Sequence, residues 1–306
     1  MVRSEVLPSS RNFARIWAGV LVREMKNATG MFVSRFILLL CMALLTTQSF
    51  GGGFCSDFQR RLVGVLPQAC QRADLSASEA RSVRGRVLYM TDVRVAEPRL
   101  RALVIGGIHG DELSSTALAL KWIELARLTP AQTEWRFVPA LNPDGLLTQP
   151  GKRTNANGVD LNRNFPTKNW ANEAPVYWEQ RTRRDPRRWP GRIPLSEPET
   201  KFLMRQVDEF RPDVIISIHA PYGVLDFDGP TVAPSRLGRL YLDRVGIFPG
   251  SLGNFAGVDR NIPVVTIELP HHLRTPVDAE VRQMWLDLQR WISERGMERL
   301  TGAHSS

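Results

Sequence analysis

The chain contains three short runs rich in Val and Ile, each followed directly by a histidine or a glutamate. The runs and the polar residues after them are 103–108 with His109 and Glu112, 214–218 with His219, and 264–267 with Glu268. Runs of this length and composition indicate buried β-strands. Helical patterns separate them, so the chain predicts an α/β fold with a largely parallel sheet. The carboxyl ends of such strands meet at one edge of the sheet, where ligands bind.

His109 and Glu112 have the spacing of a metal-binding pair at the mouth of the first run. Two histidines and one glutamate on Zn²⁺ leave a fourth position open for water, which is the catalytic arrangement. His219 is the preferred third ligand because it closes a strand. His271 and His272, an adjacent pair in a predicted loop, remain rivals for that place.

Glu268 closes the third run and is a candidate proton carrier. A carboxylate at this edge of the sheet could act as general base on a water held by the metal. The prediction depends on the combination of the three strand ends, since a single His-x-x-Glu pattern is a common chance match.

The rest of the chain also alternates between strands and helices. Further strands are predicted at 86–90 and 135–141, and helices at 112–128, 196–210 and 277–295. Residues 142–145, Asn-Pro-Asp-Gly, predict a turn. Residues 146–195 have no sustained period, which is typical of a functional loop.

The N-terminal part of the chain contains a short apolar segment. Residues 36–45 form an uncharged run of ten after Arg35. A membrane span needs about 20 such residues, whereas a signal-peptide core is shorter. We therefore expect a signal peptide and a periplasmic or secreted protein. A membrane anchor is the alternative, and a cytoplasmic protein follows if the run is no signal.

This segment suggests a division of the chain into three parts. They are an N-terminal extension over 1–50, a helical lead-in over 51–86 and a catalytic domain over 87–300. Cys55 and Cys70 lie in the lead-in. In an oxidising compartment they could form one disulfide, and two free thiols are the alternative.

The charge of the chain argues against a nucleic-acid partner. The formal net charge is +9, but outside the first 50 residues 34 Lys and Arg face 29 Asp and Glu, a net charge of +5 that is mild for this length. The sequence has no helix-turn-helix, zinc-finger or RNA-binding signature. A mild positive charge fits an acidic small substrate better.

The chain contains one long, highly specific motif over residues 153–166. Its sequence is Arg-Thr-Asn-Ala-Asn-Gly-Val-Asp-Leu-Asn-Arg-Asn-Phe-Pro. It resembles the M14 zinc carboxypeptidases, and most closely the bacterial murein peptide amidases of that group. Other features in that family's order are His-x-x-Glu at 109–112, Asn-Pro-Asp-Gly at 142–145, Ser-Glu-Pro-Glu-Thr at 196–200, His219 and Glu268. The resemblance implies a single-domain zinc-carboxypeptidase-like fold, with a mixed, mostly parallel twisted sheet flanked by helices.

The resemblance also implies roles for the strand-end residues. His109, Glu112 and His219 would bind one Zn²⁺ per chain. Glu268 would deprotonate the water at the metal and later protonate the leaving amine. Arg153 would polarise the scissile carbonyl and stabilise the negative charge that develops on its oxygen.

Three more residues of the long segment match family positions. Asn162 and Arg163 would hold the terminal carboxylate of the substrate, because a planar guanidinium meets a carboxylate bidentately. Asp160 would orient His109. A solvated loop is the alternative for the arginines, and an Asx turn for Asp160.

Some residues bear on specificity. Digestive members of the family place a mobile tyrosine over the site, and Phe255 takes that place here, where it would pack on the substrate without donating a hydrogen bond. Asp226 or Asp228 could bind an ammonium group, and an ordinary turn is the alternative. The Arg-rich loop at 181–188 is expected to be a solvated charge run, with attraction of acidic fragments as the alternative.

Together these features imply a zinc-dependent peptidase that releases C-terminal diaminopimelate from L-Ala-γ-D-Glu-diaminopimelate. Its partner would be murein tripeptide or a related acidic peptide, with no nucleic acid and no stable membrane partner unless the N-terminal segment is uncleaved. The alternatives are a broader metallocarboxypeptidase, an aspartoacylase- or desuccinylase-like amidohydrolase and, in another class, a non-catalytic murein-binding protein.

Overall fold

The computed structural model describes residues 52–302, except for 60, 63, 64, 66, 130 and 131. The predicted N-terminal extension over 1–50, with its apolar run at 36–45, lies outside the described residues. No helix in the described part combines the length and the apolar character needed to cross a membrane.

A seven-stranded mixed sheet forms the centre of the described chain. The strands, including a separate two-stranded hairpin, are β1 (Ser76–Arg81), β2 (Val87–Val93), β3 (Leu100–Ile105), β4 (Thr133–Val138), β5 (Val214–His219), β6 (Val224–Asp228), β7 (Arg236–Leu237), β8 (Leu240–Tyr241) and β9 (Val264–Glu268). The order across the large sheet is β1-β2-β4-β3-β5-β9-β6. Strands β4, β3, β5 and β9 run parallel, while β1, β2 and β6 pair antiparallel at the two edges. The predicted α/β fold is confirmed, with parallel pairing confined to the centre of the sheet.

Helices cover both faces of this sheet. The α-helices of the described part are α1 (Gly52–Phe58), α2 (Pro67–Arg72), α3 (Leu113–Leu128), α4 (Pro143–Leu147), α5 (Trp170–Val176), α6 (Pro198–Phe210) and α7 (Asp278–Gly302). On one face α3 and α7 meet β4 through Trp122, Trp285 and Trp135. On the other face α6 contributes Phe202 and Leu203 to a second core.

The central strands are buried on both faces. In β3, Ala102 and Val104 belong to the first core, whereas Leu103 and Ile105 belong to the second, and all four are fully buried. Burial on both faces explains why the strands are continuous apolar runs in the sequence. Because β3, β5 and β9 are parallel neighbours, their carboxyl ends lie side by side.

The predicted helical lead-in over 51–86 is helical only in its first part. Cys55 of α1 and Cys70 of α2 form a disulfide, with their Cα atoms 5.8 Å apart, so the pairing left open by the sequence is present. Residues 76–81 form strand β1, which turns back at Gly85 (φ 77°) and pairs with β2. The helical prediction was wrong there because sheet pairing overrides a weak local preference.

Residues 142–145 open the short helix α4 rather than a free turn. Asn142 caps it, since its Oδ1 accepts a hydrogen bond from the Gly145 N–H at 2.9 Å. Helix α4 packs against Gly110, where a Cβ would collide with the Gly145 backbone. The long stretch at 146–195 contains α5 and three short 3₁₀ or π turns, at Leu161–Arg163, Tyr177–Arg181 and Pro186–Arg188.

Candidate active site

Two side chains from the loop between β3 and α3, and a third from the end of β5, converge with their donor atoms facing one another. The Nδ1 of His109 lies 2.7 Å from Glu112 Oε1, and the Nδ1 of His219 lies 3.2 Å from Glu112 Oε2. The two Nδ1 atoms are 3.2 Å apart. All three residues are buried, and their ligand atoms lie within 4.8 Å of one another.

The outer nitrogen of each histidine is occupied by a hydrogen bond. His109 Nε2 lies 3.1 Å from Asp160 Oδ1, and His219 Nε2 lies 3.0 Å from Ser217 Oγ. A carboxylate acceptor favours the proton on His109 Nε2, which leaves the Nδ1 lone pair facing inwards. Such outer bonds orient an imidazole for metal binding.

This arrangement fits a zinc ion. Two imidazole nitrogens and a carboxylate face each other so closely that a proton or a cation must lie between them. Burial alone would raise the pKa of Glu112, but His109 and His219 outweigh it and hold that pKa well below its usual range. An ionised glutamate with two imidazole nitrogens is the donor set of a catalytic zinc site.

Glu268 stands beside this group as the last residue of β9 and the register partner of His219. Its Oε2 is buried and has no hydrogen-bond partner in the described part of the chain. Burial raises the pKa of Glu268, while His219 opposes the shift and Glu112 adds to it. A carboxyl with a raised pKa is suited to take up and return a proton near neutral pH.

Arg153 and Asp160 form a buried ion pair next to the candidate metal site of His109, Glu112 and His219, called the metal group below. The Arg153 Nε donates to Asp160 Oδ2 at 3.0 Å, and its Nη1 lies 3.6 Å from Glu112 Oε1. Burial would raise the pKa of Asp160, but Arg153 and His109 hold it well below its usual range. Asp160 therefore fixes both the histidine and the arginine, and Arg153 presents a fixed cation to the cleft.

Arg163 is a buried cation whose hydrogen-bond donors are only partly paired. Its Nη1 donates to the Asn162 carbonyl at 2.6 Å, and its Nε has no hydrogen-bond partner among the residues that the structure describes. The guanidinium lies over the Phe248 ring, 4.5 Å from its centroid. Burial lowers the pKa of Arg163 to about 10, even though Asp160 favours the charged form. A cation in this state is well placed to bind an anion.

Asp226 and Asp228 line the same cleft, which encloses about 440 Å³. They alternate along β6, so both side chains lie on one face of the strand. Burial raises the pKa of Asp228 to about 7, and the Asp226 charge adds to the shift. Gly253 makes room for this carboxylate, because a Cβ there would collide with Asp228 Oδ2.

Phe255 does not line the cleft. Its side chain is 2% exposed and stacks on Phe165 with ring centroids 5.7 Å apart. The prediction that it packs on the substrate is therefore wrong. Phe248, seven residues earlier in the chain, lines the cleft instead. The packing of the core decides which of the two rings is exposed to the cleft.

Further residues of the cleft lie outside the set predicted to bind the metal or the substrate. Tyr222 lines the cleft with 61% of its surface exposed. Arg187 and Arg188 of the Arg-rich loop also line it, and Arg187 Nη2 lies 2.8 Å from Asp111 Oδ2. Part of that loop is therefore attached to the turn between His109 and Glu112.

The rival ligands His271 and His272 do not join the metal group. His272 lines the cleft, but its carbonyl accepts the Ser114 N–H at 3.0 Å, and the side chain is exposed. His271 borders a separate depression. His219 occupies the third position because it is the residue that ends β5.

Comparison with known proteins is consistent with this geometry. Residues 71–226 match the family model described as zinc carboxypeptidase. Murein peptide amidase A of Vibrio campbellii is 33% identical over 241 residues, which cover 74% of this chain and 91% of that protein. Murein peptide amidase A of Escherichia coli K12 is 36% identical over 203 residues, covering 64% of this chain and 82% of that protein.

Solved structures that resemble this chain belong to the same two kinds of enzyme, a murein peptide amidase and a carboxypeptidase. The crystal structure of a murein-tripeptide amidase from Escherichia coli O157 superposes with a TM-score of 0.53 at 29% identity, covering 71% of this chain and 92% of that one. Carboxypeptidase A of Helicoverpa armigera reaches a TM-score of 0.56 at 17% identity, covering 76% and 70%. At that identity the second match supports the fold alone.

Proposed function

Because this chain belongs to the zinc carboxypeptidase family and is an enzyme of the zinc peptidase type, we propose that it hydrolyses the amide bond before a C-terminal diaminopimelate in murein-derived peptides. The resemblance predicted from residues 153–166 is thereby confirmed at the level of the family. The proposed substrate is L-Ala-γ-D-Glu-diaminopimelate. Its last residue carries carboxylates and, at the end of its side chain, an ammonium group.

One observation carries this proposal. A single cleft holds the metal group, the buried Arg163 guanidinium and the two carboxylates Asp226 and Asp228. A residue with charges of both signs is complementary to such a pocket. A simple apolar C-terminal residue would bring no ammonium group to these two carboxylates and would forgo the charge-assisted hydrogen bonds that such a group can donate.

We assign substrate positioning to four side chains. Asn162 and Arg163 would hold the carboxylate next to the scissile amide, since the guanidinium can donate two parallel hydrogen bonds. Asp226 and Asp228 would hold the distant ammonium. With both ends held, the scissile carbonyl lies at the metal group, which lowers the entropic cost of reaction.

Zinc held by His109, Glu112 and His219 would polarise the carbonyl and lower the pKa of a water molecule. Glu268 takes a proton as water adds to the carbonyl carbon, and it passes a proton to the nitrogen as the C–N bond breaks. Arg153 donates hydrogen bonds to the carbonyl oxygen as negative charge develops there.

The proposal is tested by mass spectrometry of the products from purified protein and the tripeptide. We expect free diaminopimelate and L-Ala-D-Glu, with the reaction lost on chelation and restored by added Zn²⁺. Uncleaved tripeptide that stays bound to zinc-loaded protein would instead support a non-catalytic murein-binding protein.

Matched substrates separate the catalytic alternatives. A peptide ending in lysine keeps the ammonium but lacks the distal carboxylate, and a peptide ending in alanine lacks both. Equal rates for all three would favour a broader carboxypeptidase. Faster cleavage of N-acyl amino acids would favour an aspartoacylase- or desuccinylase-like enzyme.

We further propose that the enzyme acts in the periplasm or outside the cell. The Cys55–Cys70 disulfide supports this, since such bonds persist mainly in oxidising compartments. The apolar run at 36–45 also supports it. Cell fractionation with N-terminal sequencing of the mature chain tests the proposal. Recovery in the membrane fraction would support a membrane anchor. Recovery in the cytosol would contradict the proposed location.

A further inference from the structure

A second groove adjoins the candidate cleft and has no role in the steps above. It encloses about 670 Å³, and Arg153 and Arg187 line both spaces. Trp178 and Trp189 line the groove but not the cleft. None of the four side chains assigned to the C-terminal residue of the substrate borders it. The groove is therefore positioned for the part of a substrate on the amino side of the scissile bond.

Hydrogen bonds fix the Trp178 side chain and the Trp189 main chain without a ligand. Trp178 Nε1 donates to the Asp185 carbonyl at 2.8 Å, so its polar atom is occupied and the ring offers apolar surface. The Trp189 carbonyl accepts the Asp160 N–H at 2.8 Å. One wall of the groove is thus tied directly to the residue that holds His109. Both indoles are half-buried, which leaves part of each exposed for contact.

The remaining lining is mixed in character. Pro150 and Pro186 add apolar ring surface, while Lys152 and Arg187 bring hydrogen-bond donors. A pocket that is mainly apolar, with a few polar groups that fix orientation, is typical of a small-molecule site. The alanine that precedes D-Glu in the tripeptide is too small to occupy this volume.

We propose that this groove binds the N-acetylated sugar that a wall peptide carries at its amino end through a lactyl group, so that the preferred substrate is a muramyl peptide. The inference depends on the proposed function and refines its substrate class. A sugar ring presents C–H faces that pack against indoles, and its hydroxyl and acetamide oxygens accept hydrogen bonds from Lys152 and Arg187. Continuity through Arg153 and Arg187 lets one substrate occupy both the cleft and the groove.

The test compares kcat/KM for muramyl-L-Ala-γ-D-Glu-diaminopimelate with kcat/KM for the free tripeptide. In the wild type we expect the sugar-bearing substrate to be favoured about tenfold or more, the scale of one well-packed aromatic contact. Trp178→Ala should reduce that ratio to near one, and Trp178→Phe should keep most of it. Tyr241→Ala, a change of an exposed aromatic residue on the β7–β8 hairpin, should leave the ratio unchanged.

Product inhibition gives a second measurement that needs no variant. Muramyl-L-Ala-D-Glu should inhibit the wild type about tenfold more strongly than L-Ala-D-Glu. Equal inhibition, or a wild-type substrate ratio near one with the tripeptide still cleaved, overturns the sugar site and leaves the proposed function intact. Failure to cleave either substrate defeats the proposed function, and the sugar site with it.

Discussion

His219 and Glu268 lie directly opposite each other as the last residues of two adjacent parallel strands. The parallel pairing of β5 with β9 places an imidazole that can bind a metal beside a carboxyl that can carry a proton. Neither residue needs a special loop to reach the other, because the register of the sheet sets their proximity. Because Glu268 lies beside the candidate metal site and is not one of its three residues, its role can be tested without removing a metal ligand.

Glu268→Gln should retain the metal and lose nearly all turnover. The amide keeps the size of the side chain but cannot accept the proton, and general acid–base catalysis contributes roughly 10²–10⁴-fold to rate. Steady-state kinetics and elemental analysis of the same preparation check both points. Glu209→Gln, a change of an exposed residue of α6, is the folded control. Turnover above a few per cent of wild type would contradict the assignment.

Asp160→Asn should weaken zinc binding. The variant loses the charge that holds the proton on His109 Nε2, and loss of such an outer partner lowers metal affinity by roughly 10–100-fold. Competition with a chelator of known affinity measures this change. Ser217→Ala removes the matching bond to His219 and should cost less, because a hydroxyl is neutral. Equal losses in the two variants would argue against a charge effect.

Arg163→Lys should impair substrates with a free terminal carboxylate. Lysine keeps the charge but cannot form two parallel hydrogen bonds. A hydrogen bond to a charged group contributes about 1.5–3 kcal/mol, so the loss of one of the two should lower kcat/KM roughly 10- to 100-fold. A tripeptide amidated at that carboxylate is the control, since the wild type should already cleave it poorly and the variant no worse. A fall of the same size for both peptides would place Arg163 elsewhere in the reaction.

Asp228→Asn should remove a rise in kcat/KM near neutral pH. The pKa of Asp228 is raised to about 7, so its carboxyl is mostly neutral below that pH and charged above it. An ammonium group binds the charged form, so kcat/KM for the diaminopimelate peptide should increase as the pH passes upward through 7. The asparagine side chain cannot ionise and should stay at the low value.

The pH profile needs one internal reference, because Glu268 also titrates. A peptide ending in alanine has no side-chain ammonium, and any rise that it shares with the diaminopimelate peptide belongs to another group. If the profile of Asp228→Asn matched that of the wild type in shape for both peptides, Asp228 would have no part in recognising the ammonium.

Replacing both Cys55 and Cys70 by serine should lower the free energy of unfolding by about 3 kcal/mol. The disulfide closes a 15-residue separation, and the loop-entropy estimate for that length gives this magnitude. Urea unfolding of the two proteins measures the change. Reducing agent should destabilise the wild type and leave the double variant unaffected. An unchanged midpoint would show that packing alone holds α1 and α2 in place.

The sequence alone identified the central strands and the residues at their ends. Continuous apolar runs can be buried only between two layers of helices, and parallel strands bring their carboxyl ends together. His109, Glu112, His219 and Glu268 were therefore found from the strand pattern. The 153–166 segment added Arg153, Asp160 and Arg163 through resemblance.

The sequence was less informative for the loops and the sheet edges. Strand β1 was assigned to a helical lead-in, and the short edge strand β6 was not predicted, because edge pairing depends on a partner distant in sequence. Phe255 and Phe248 lie in one segment, and nothing local says which of them faces the core. The sequence therefore did not show which side chains of that part of the chain face the substrate.

The candidate metal-binding residues and Glu268 could be predicted from the sequence, because they lie at or just after continuous apolar runs whose carboxyl ends meet at one edge of a parallel sheet. Packing in the folded chain placed Phe255 in the core, paired Arg187 with Asp111, and brought two tryptophans of the long loop to a groove beside Arg153. These outcomes depend on which surfaces pack against each other across long sequence separations, and no local pattern encodes that choice.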